Sequence, residues 1–299
     1  MVGTCRYVCF LNMVKIDVVC PLHRADGMID AVIEGLKAQK NIIFNKVVFP
    51  ITKEEDDLSV VIRKITEAGF CYFLVPLGDF SHSLTRQTAV MEYCESDVVV
   101  MISQDVRFVD EDALSRLASV INETCVYAYG RQICSQKTIE RYVREKNYGK
   151  ESLTVSAADV ENMQLAAFFA SDAFSAYHRP TFVTLGGYDS IHMMMNEDMY
   201  YAKKVIDRGL QKAYVATAVA EHSHRYTFKQ LYNRYRATGK WFAEHPEFDD
   251  YKTTDSGLKL ALYVFKRALR EFNIPVLFRF LPDMTSRYLG MKKGKEEKR

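Results

Sequence analysis

The sequence lacks the short motifs that mark the commonest phosphate and metal sites. No Gly-x-Gly-x-x-Gly follows its first strand-like segment and no Gly-x-x-x-x-Gly-Lys-Ser/Thr occurs, so a dinucleotide-type Rossmann site is disfavoured and a P-loop is excluded. Its seven cysteines include no Cys-x-x-Cys pair and are odd in number, which indicates neither a zinc site nor a disulfide framework. Several lie in apolar runs, where cysteine behaves as a small hydrophobe, and a reducing cytoplasm is the expected location.

Long apolar runs and a strong net charge are also missing. No segment approaches the ~18 apolar residues of a membrane-spanning helix. Residues 1–12 are mildly apolar without the pattern of a signal peptide, and since Met13 opens a strand-like segment, an upstream extension is one interpretation of them. Forty basic against 38 acidic residues leave a formal charge of +2, which predicts no nucleic-acid partner.

What the sequence does contain is a regular alternation of strand-like and helix-like segments. Apolar residues make up 48% of the chain, enough for a sizeable core. Strands are expected at 15–20, 42–49, 70–75, 97–102 and 125–129, with helices between them. Pro21 and Pro50 are expected to end the first two. This alternation predicts an α/β protein with a mostly parallel central sheet flanked by helices.

The rest of the chain is expected to hold further elements of both kinds. We expect residues 131–171 to be irregular except for one helix near 138–146. The later elements are a strand at 174–178, a turn at 186–189, a helix at 197–208, a strand at 212–218, a helix at 227–242 and a helical block at 258–281 that Pro275 interrupts.

One buried strand ends in the polar triplet Ser103-Gln104-Asp105. Ligands of open α/β sheets bind outside the carboxyl ends of the strands, and Mg²⁺ often uses one or two carboxylates together with substrate phosphates. Asp105, with the neutral amide of Gln104, is therefore a candidate for a weak metal site that a diphosphate completes. The alternative is that Asp105 closes the strand or caps the helix near Asp110.

Three further clusters lie at predicted helix starts or strand ends. Arg86 is in the first turn of the third helix, where anions bind favourably; the alternative is an ordinary surface arginine. Glu197 and Asp198 begin a later helix and offer a carboxylate that deprotonates a sugar hydroxyl, or simply stabilise the helix dipole. His222 and His224 follow a strand and are ligand candidates, the alternative being two hydrogen-bonded polar residues.

The order of these motifs resembles family 2 glycosyltransferases of the GT-A fold, and within them bacterial rhamnosyltransferases of polysaccharide biosynthesis. The segments that carry the resemblance are DVVCPLHRA, FSHSLTRQTA, VVVMISQDVRF, LGGYDSIHMMMNEDMYYAKKVIDRGL and AVAEHSHRYTFKQLYNRYRATGKWF. The resemblance implies a GT-A domain at 1–245, with a nucleotide-binding half at about 14–130 and an acceptor half at about 131–245. Residues 246–299 are then a C-terminal helical extension with a basic tail.

The resemblance also implies roles for the nucleotide-binding half. Pro21 borders the nucleotide and Arg86 lies by the diphosphate or the base. Gln104 and Asp105 occupy the Asp-x-Asp position, with Asp105 as a ligand of Mg²⁺ or Mn²⁺. The family's Asp for the nucleobase is absent after the second strand, where residues 48–56 read VFPITKEED, so the choice of nucleotide stays open.

In the acceptor half, the resemblance implies that Asp198 is the catalytic base and that Glu197 supports it. His222 or His224 completes the metal or diphosphate site. The expected reaction is inverting transfer of a sugar, with rhamnose from dTDP-rhamnose favoured, onto a glycan or a lipid-linked glycan. The alternatives are another UDP- or GDP-sugar, a nucleotidyltransferase, or a non-catalytic glycan-binding protein of the same fold.

The C-terminal segments 264–270 and 276–281 mix apolar and basic residues. Such segments bind anionic membrane surfaces, where a lipid-linked acceptor is found. The alternatives are a helical pair packed on the domain and a homodimer contact.

Overall fold

The computed structural model describes residues 13–25, 27–54, 57–252 and 256–297. The interpretation of residues 1–12 as an extension, and the last two residues of the basic tail, lie outside this part of the chain.

Within the described residues, nine strands form one sheet. The strands are β1 (Val14–Val19), β2 (Ile42–Lys53), β3 (Cys71–Pro76), β4 (Val98–Ile102), β5 (Arg107–Phe108), β6 (Cys125–Ile133), β7 (Leu153–Val155), β8 (Phe174–His178) and β9 (Gln211–Glu221). The α-helices are α1 (Ile29–Lys37), α2 (Ser59–Glu67), α3 (His82–Thr88), α4 (Ala113–Ala118), α5 (Ile139–Asn147), α6 (Val160–Met163), α7 (Arg179–Thr184), α8 (Glu197–Asp207), α9 (Phe228–Glu244), α10 (Ser256–Arg270) and α11 (Ile274–Glu296). Short 3₁₀ turns and a π-turn at Ala89–Tyr93 connect them.

The strand order is β3-β2-β1-β4-β8-β6-β9-β5, with β7 paired to β9. Strands β1 to β4 are mutually parallel. Strand β8 is antiparallel to both β4 and β6, so β6 and its parallel neighbour β9 run in the direction of β4. Six of the nine strands therefore end at the same edge of the sheet, and the predicted α/β class with a mostly parallel sheet is confirmed.

Strand β4 lies at the centre of the sheet and is buried on both faces. Val98, Val100 and Ile102 belong to the apolar cluster on one face, and Val99 and Met101 to the cluster on the other. Helices cover both faces, which is why this strand reads as a continuous apolar run rather than as an alternating one.

The expectation that Pro50 ends the second strand is wrong. Strand β2 continues through Pro50 to Lys53. Proline lacks an N–H, but its carbonyl still accepts a hydrogen bond from the Leu22 N–H at 2.8 Å. Strand β2 tolerates the missing donor because its pairing with β3 continues past Pro50 to Lys53.

Two expectations for the later part of the chain are also corrected. Residues 131–171 are not irregular, because β6 extends to Ile133 and β7 and α6 follow. Pro275 does not interrupt a helix; it occupies the first turn of α11, where its missing N–H costs nothing. The short strand β5, only two residues long, was not predicted.

The last helix, α11, packs along α9 at very close range. A Cβ atom on Gly290 would overlap the carbonyl of Tyr232, and one on Gly294 would overlap the carbonyl of Arg236. The two backbones touch only because these positions carry no side chain. Within the described residues, no helix is long and apolar enough to cross a bilayer.

We predict that Gly290→Ala lowers the free energy of unfolding by roughly 1–3 kcal/mol, since the added methyl group forces α9 and α11 apart. Urea unfolding followed by circular dichroism measures the change. Gly257→Ala in α10, where an added Cβ meets nothing within 4 Å, is the matched control and leaves stability unchanged or slightly higher. Equal stability of both variants would show that the close approach is not required.

Candidate active site

The shared edge of the sheet brings Asp105, His222 and His224 together. Asp105 follows β4 and the histidines follow β9, whose pairing with β6 continues to Glu221. The Nε2 atom of His222 lies 3.3 Å from Oδ1 of Asp105, and the Nδ1 atom of His224 lies 3.5 Å from Oδ2. One potential ligand atom from each residue lies within 4.8 Å of the others, a spacing that suits one metal ion.

The electrostatics of this trio also suit a cation. Burial lowers the pKa of His222, and it lowers the pKa of His224 to about 4, so both imidazoles are neutral ligands near pH 7. Burial alone would raise the pKa of Asp105, but the neighbouring rings of His222 and His224 lower it. The trio therefore presents one carboxylate and two neutral nitrogens.

Gln132 and Arg144 orient His222 from behind. The Nδ1 atom of His222 lies 2.8 Å from Oε1 of Gln132 and 3.1 Å from a guanidinium nitrogen of Arg144. In the tautomer that carries its proton on Nδ1, the ring donates to Gln132 and leaves Nε2 free toward Asp105. Such outer contacts fix the ring orientation of metal-binding histidines.

Gln104, just after the end of β4, binds the loop that follows β1. Its Oε1 accepts from the His23 N–H at 2.8 Å, and its Nε2 donates to the His23 carbonyl at 2.9 Å. Pro21 lies on the same loop, at the same edge of the sheet. The oxygen and the nitrogen of the Gln104 amide thus both hydrogen-bond to the loop that carries Pro21, and these bonds hold the loop against the end of β4.

Arg86 forms a buried ion pair with Glu197. Its side chain is 5% exposed, that of Glu197 is 8% exposed, and a guanidinium nitrogen lies 3.1 Å from a carboxylate oxygen. His82 supplies a ring nitrogen and a carbonyl to the same guanidinium nitrogen. The alternative of an ordinary surface arginine is therefore excluded, and Arg86 fixes the start of α8.

Asp198 follows Glu197 directly and is only partly covered by protein atoms. Its Oδ1 accepts a hydrogen bond from the Met199 N–H at 2.7 Å. Burial, followed by the charges of Glu197 and Asp172, raises the pKa of Asp198 well above that of a free aspartate. A raised pKa brings a carboxylate closer to the value that suits a general base near neutral pH.

Asp172 is a functional candidate that the sequence did not reveal. It is 2% exposed and lies among three buried tyrosines. Oδ1 accepts from Tyr127 at 2.9 Å and also from Tyr177, and Oδ2 accepts from Tyr188 at 2.7 Å. The tyrosines come from β6, β8 and the turn before α8, so this carboxylate ties together the elements around Asp198.

Two cations near the carboxylates were also missed. The charge of Arg234 on α9 lowers the pKa of His222, His224 and Glu197, and its guanidinium lies 5.8 Å from the centre of the Tyr226 ring. Lys212 on β9 is 1% exposed, and burial lowers its pKa to about 7. Neither stands out in the sequence, because Arg234 is one of several basic residues in an amphipathic helix and Lys212 begins an apolar strand.

The chain is similar to curated bacterial enzymes over most of its length. It is 30% identical over 235 residues to the O-antigen chain rhamnosyltransferase RfbN of Salmonella typhimurium, covering 78% of this chain and 74% of that protein. It is 37% identical over 172 residues to the O-antigen chain rhamnosyltransferase WbaN of Salmonella anatum, covering 56% of this chain and 54% of that protein. No family model matches.

Solved glycosyltransferase structures share the fold at low identity. A mannosyltransferase from Pyrobaculum calidifontis in complex with GDP-Man and Mn²⁺ superposes with a TM-score of 0.58 at 12% identity, covering 95% of this chain and 86% of that chain. Residues 1–349 of S. aureus TarS, in complex with UDP-GlcNAc, give a TM-score of 0.53 at 12% identity, covering 95% and 92%. Together with the curated relatives, these likenesses bear out the predicted GT-A glycosyltransferase fold.

We predict that Asp198→Asn makes the protein more stable at neutral pH. The pKa of Asp198 is higher in the folded state than in the unfolded state, so folding favours the protonated carboxyl group. This contribution to the free energy of unfolding is fully present below the unfolded pKa and is lost as the pH rises through the folded pKa. Asparagine does not ionise, so the unfolding free energy of the variant should exceed that of the wild type at pH ~8 and match it near pH ~3.

Urea unfolding at both pH values measures this difference. Asp207→Asn on the same helix is the control, because Asp207 is exposed and pairs with Lys203. That variant should show no gain at neutral pH. If Asp198→Asn were less stable than the wild type at both pH values, the folded state would not disfavour the ionised form of Asp198.

Proposed function

The chain belongs to the O-antigen chain rhamnosyltransferase family, and from this premise we propose that it transfers rhamnose from dTDP-rhamnose to a glycan or a lipid-linked glycan. That it is a sugar-transferring enzyme follows from the family. The observation that supports the proposal is that the same fold holds a carboxylate–histidine trio, which suits a metal, and an acidic pair at the start of α8, which offers a base.

We assign the role of base to Asp198. Its carboxylate accepts the proton of the acceptor hydroxyl as that oxygen attacks the anomeric carbon, and the bond from that carbon to the diphosphate breaks. Attack from the side opposite the leaving group inverts the anomeric configuration. Glu197, held by Arg86, keeps α8 in place, and its charge raises the pKa of Asp198, which strengthens the base.

The leaving diphosphate gains negative charge, and the basic residues of the site offset it. Arg234 on α9 is exposed to solvent and its guanidinium packs on the ring of Tyr226, two residues after His224, so we assign it a contact with phosphate oxygens. Arg144, behind His222, adds a second positive charge. Preorganised charges of this kind act on charge that develops in the transition state.

The trio fits a divalent metal, with Asp105, His222 and His224 as the protein ligands. Mg²⁺ prefers an all-oxygen shell, whereas imidazole nitrogen suits transition metals, so one carboxylate and two imidazoles favour Mn²⁺ over Mg²⁺. When bound, the metal supplies positive charge to the leaving diphosphate. Gln104 stays a candidate for the nucleotide site only through the loop that it clamps.

The proposed location is the cytoplasm. The five cysteines of the described part of the chain are all free thiols, which suits a reducing compartment.

A thermal-shift screen of nucleotides with and without Mn²⁺ tests the proposal. A ligand at ~100 times its dissociation constant adds roughly 2.7 kcal/mol of stability. We predict a shift with dTDP that Mn²⁺ enlarges, that Mg²⁺ enlarges less, and that is lost in Asp105→Ala. A shift with UDP or GDP in place of dTDP would contradict dTDP-rhamnose as the donor.

A matched pair of arginines on α9 provides the control. Arg234→Ala should weaken the dTDP shift, because it removes a cation from the site. Arg236→Ala removes an equal charge from the same helix, but Arg236 faces Glu297 at 2.6 Å, so the dTDP shift should persist. If both variants reduced the dTDP shift equally, Arg234 would act only through the net charge of the protein.

A further inference from the structure

The two C-terminal helices expose large apolar side chains to an unusual degree. Among the described residues, every large apolar side chain that is more than 60% exposed lies in α10, in α11 or in the turn between them. Phe272 and Phe278 are each 82% exposed and Leu281 is 71% exposed, whereas Leu77 and Val109, the most exposed elsewhere, reach 53%. Contiguous exposed apolar surface of this kind marks an interaction site.

The exposed side chains form continuous rows rather than isolated positions. On α10, Leu258, Leu262, Phe265 and Leu269 follow one another at intervals of four, three and four residues, which places them on one side of the helix. The opposite side of α10, with Val264 and Ala268 fully buried, packs with α5 and α11. The helix is therefore apolar on both sides, and only one of them is used within the chain.

The row continues across the turn into α11. Phe272 lies in the turn, and Ile274, Phe278 and Leu281 repeat the same helical spacing. We call these four residues, together with the four on α10, the C-terminal apolar face. The ring of Phe265, which belongs to this face, also lies 5.4 Å from the ring of Phe280 and joins the two helices.

The charge beside this face has one sign. Between residues 256 and 290 the sequence has six basic and two acidic residues. Both acids are neutralised within the protein, since Glu271 pairs with Arg267 and Asp283 pairs with Arg287. Lys266 and Arg270 each follow directly after a residue of the apolar row, and both are exposed. The apolar face is thus bordered by positive charge.

We infer that the C-terminal apolar face lies in the plane of an anionic lipid bilayer, with its apolar side chains at the level of the headgroups and its lysine and arginine residues on lipid phosphates. An amphipathic helix with apolar and basic sides binds such a surface without crossing it. A second copy of the chain fits less well, because a two-fold contact through this face would bring Lys266 and Arg270 of both copies together without a carboxylate to match them.

The apolar face is joined to the candidate metal site. Arg279, next to Phe278, donates to the carbonyl of Tyr226 at 2.9 Å, and Tyr226 is two residues after His224. A pocket of about 220 Å³ lies between them, lined by His224, Tyr226, Val276 and Arg279 among others. Given the proposed function, binding through this face holds the metal site beside the bilayer, where the saccharide of a lipid-linked acceptor projects.

Vesicle sedimentation of the full chain tests the inference. The wild-type protein should sediment with vesicles of phosphatidylcholine and phosphatidylglycerol and much less with phosphatidylcholine alone. The double variant Phe272→Ser/Phe278→Ser should lose roughly tenfold or more in partitioning to the anionic vesicles. Lys266→Gln/Arg270→Gln should weaken binding and reduce its dependence on salt.

The matched control is Leu77→Ser/Val109→Ser, which removes two exposed apolar side chains outside the face and should bind as the wild type does. The thermal midpoint and the dTDP shift, measured without vesicles, should be the same in all four proteins. Those measurements separate a failure of the lipid inference from a failure of the proposed function, which would abolish the dTDP shift itself.

Three results would overturn the inference. The first is a wild-type protein that sediments with neither kind of vesicle, or equally with both. The second is a phenylalanine double variant that binds anionic vesicles as strongly as the wild type. The third is a dimer of the wild type in light scattering that the phenylalanine variant dissociates, without vesicle binding, which would assign the face to a second copy of the chain.

Discussion

The buried ion pair between Arg86 and Glu197 is the interaction on which the acidic half of the site depends. It joins α3 of the N-terminal part to α8 of the C-terminal part, and both side chains are almost fully covered. Removing one partner of such a pair leaves an uncompensated charge and typically costs about 3–5 kcal/mol. Asp198, the next residue of α8, is placed by this pair, and with Asp172 nearby the cluster holds more carboxylates than cations. Burial, followed by the charges of Glu197 and Asp172, raises the pKa of Asp198, so the ionised form that the proposed role as a base requires costs stability.

The direction of the strands is the second constraint. Because β4 and β9 run the same way, their ends meet at one edge, and Asp105 faces His222 and His224 although more than a hundred residues separate them. Because β9 extends to Glu221, His222 and His224 lie at that edge. The charge of Arg234 on α9 lowers the pKa of both histidines and of Glu197, and α9 itself packs on α11 through the glycine contacts.

The sequence predicted the parts of this arrangement that depend on local pattern. The apolar run of β4, the helix start at Glu197 and the strand before His222 were placed within a few residues, and the fold class followed from their alternation. It did not reveal Asp172, because nothing near that residue shows that three tyrosines distant in sequence converge on it. It also did not reveal that Gln104 holds the His23 backbone, since that contact depends on the loop geometry after β1. Strand β2 runs past Pro50 because its pairing with β3 continues to Lys53, which only the sheet shows.

The most direct test of this account is the anomeric configuration of the sugar released from dTDP-rhamnose, with water in place of the glycan acceptor. Proton NMR of the first-formed rhamnose, recorded before the anomers equilibrate, distinguishes the two outcomes. The account predicts a configuration opposite to that of the donor, and a release rate that falls by about 10²–10⁴-fold in Asp198→Asn. Retained configuration, or an undiminished rate in that variant, would contradict the assignment of Asp198 as the base of an inverting transfer.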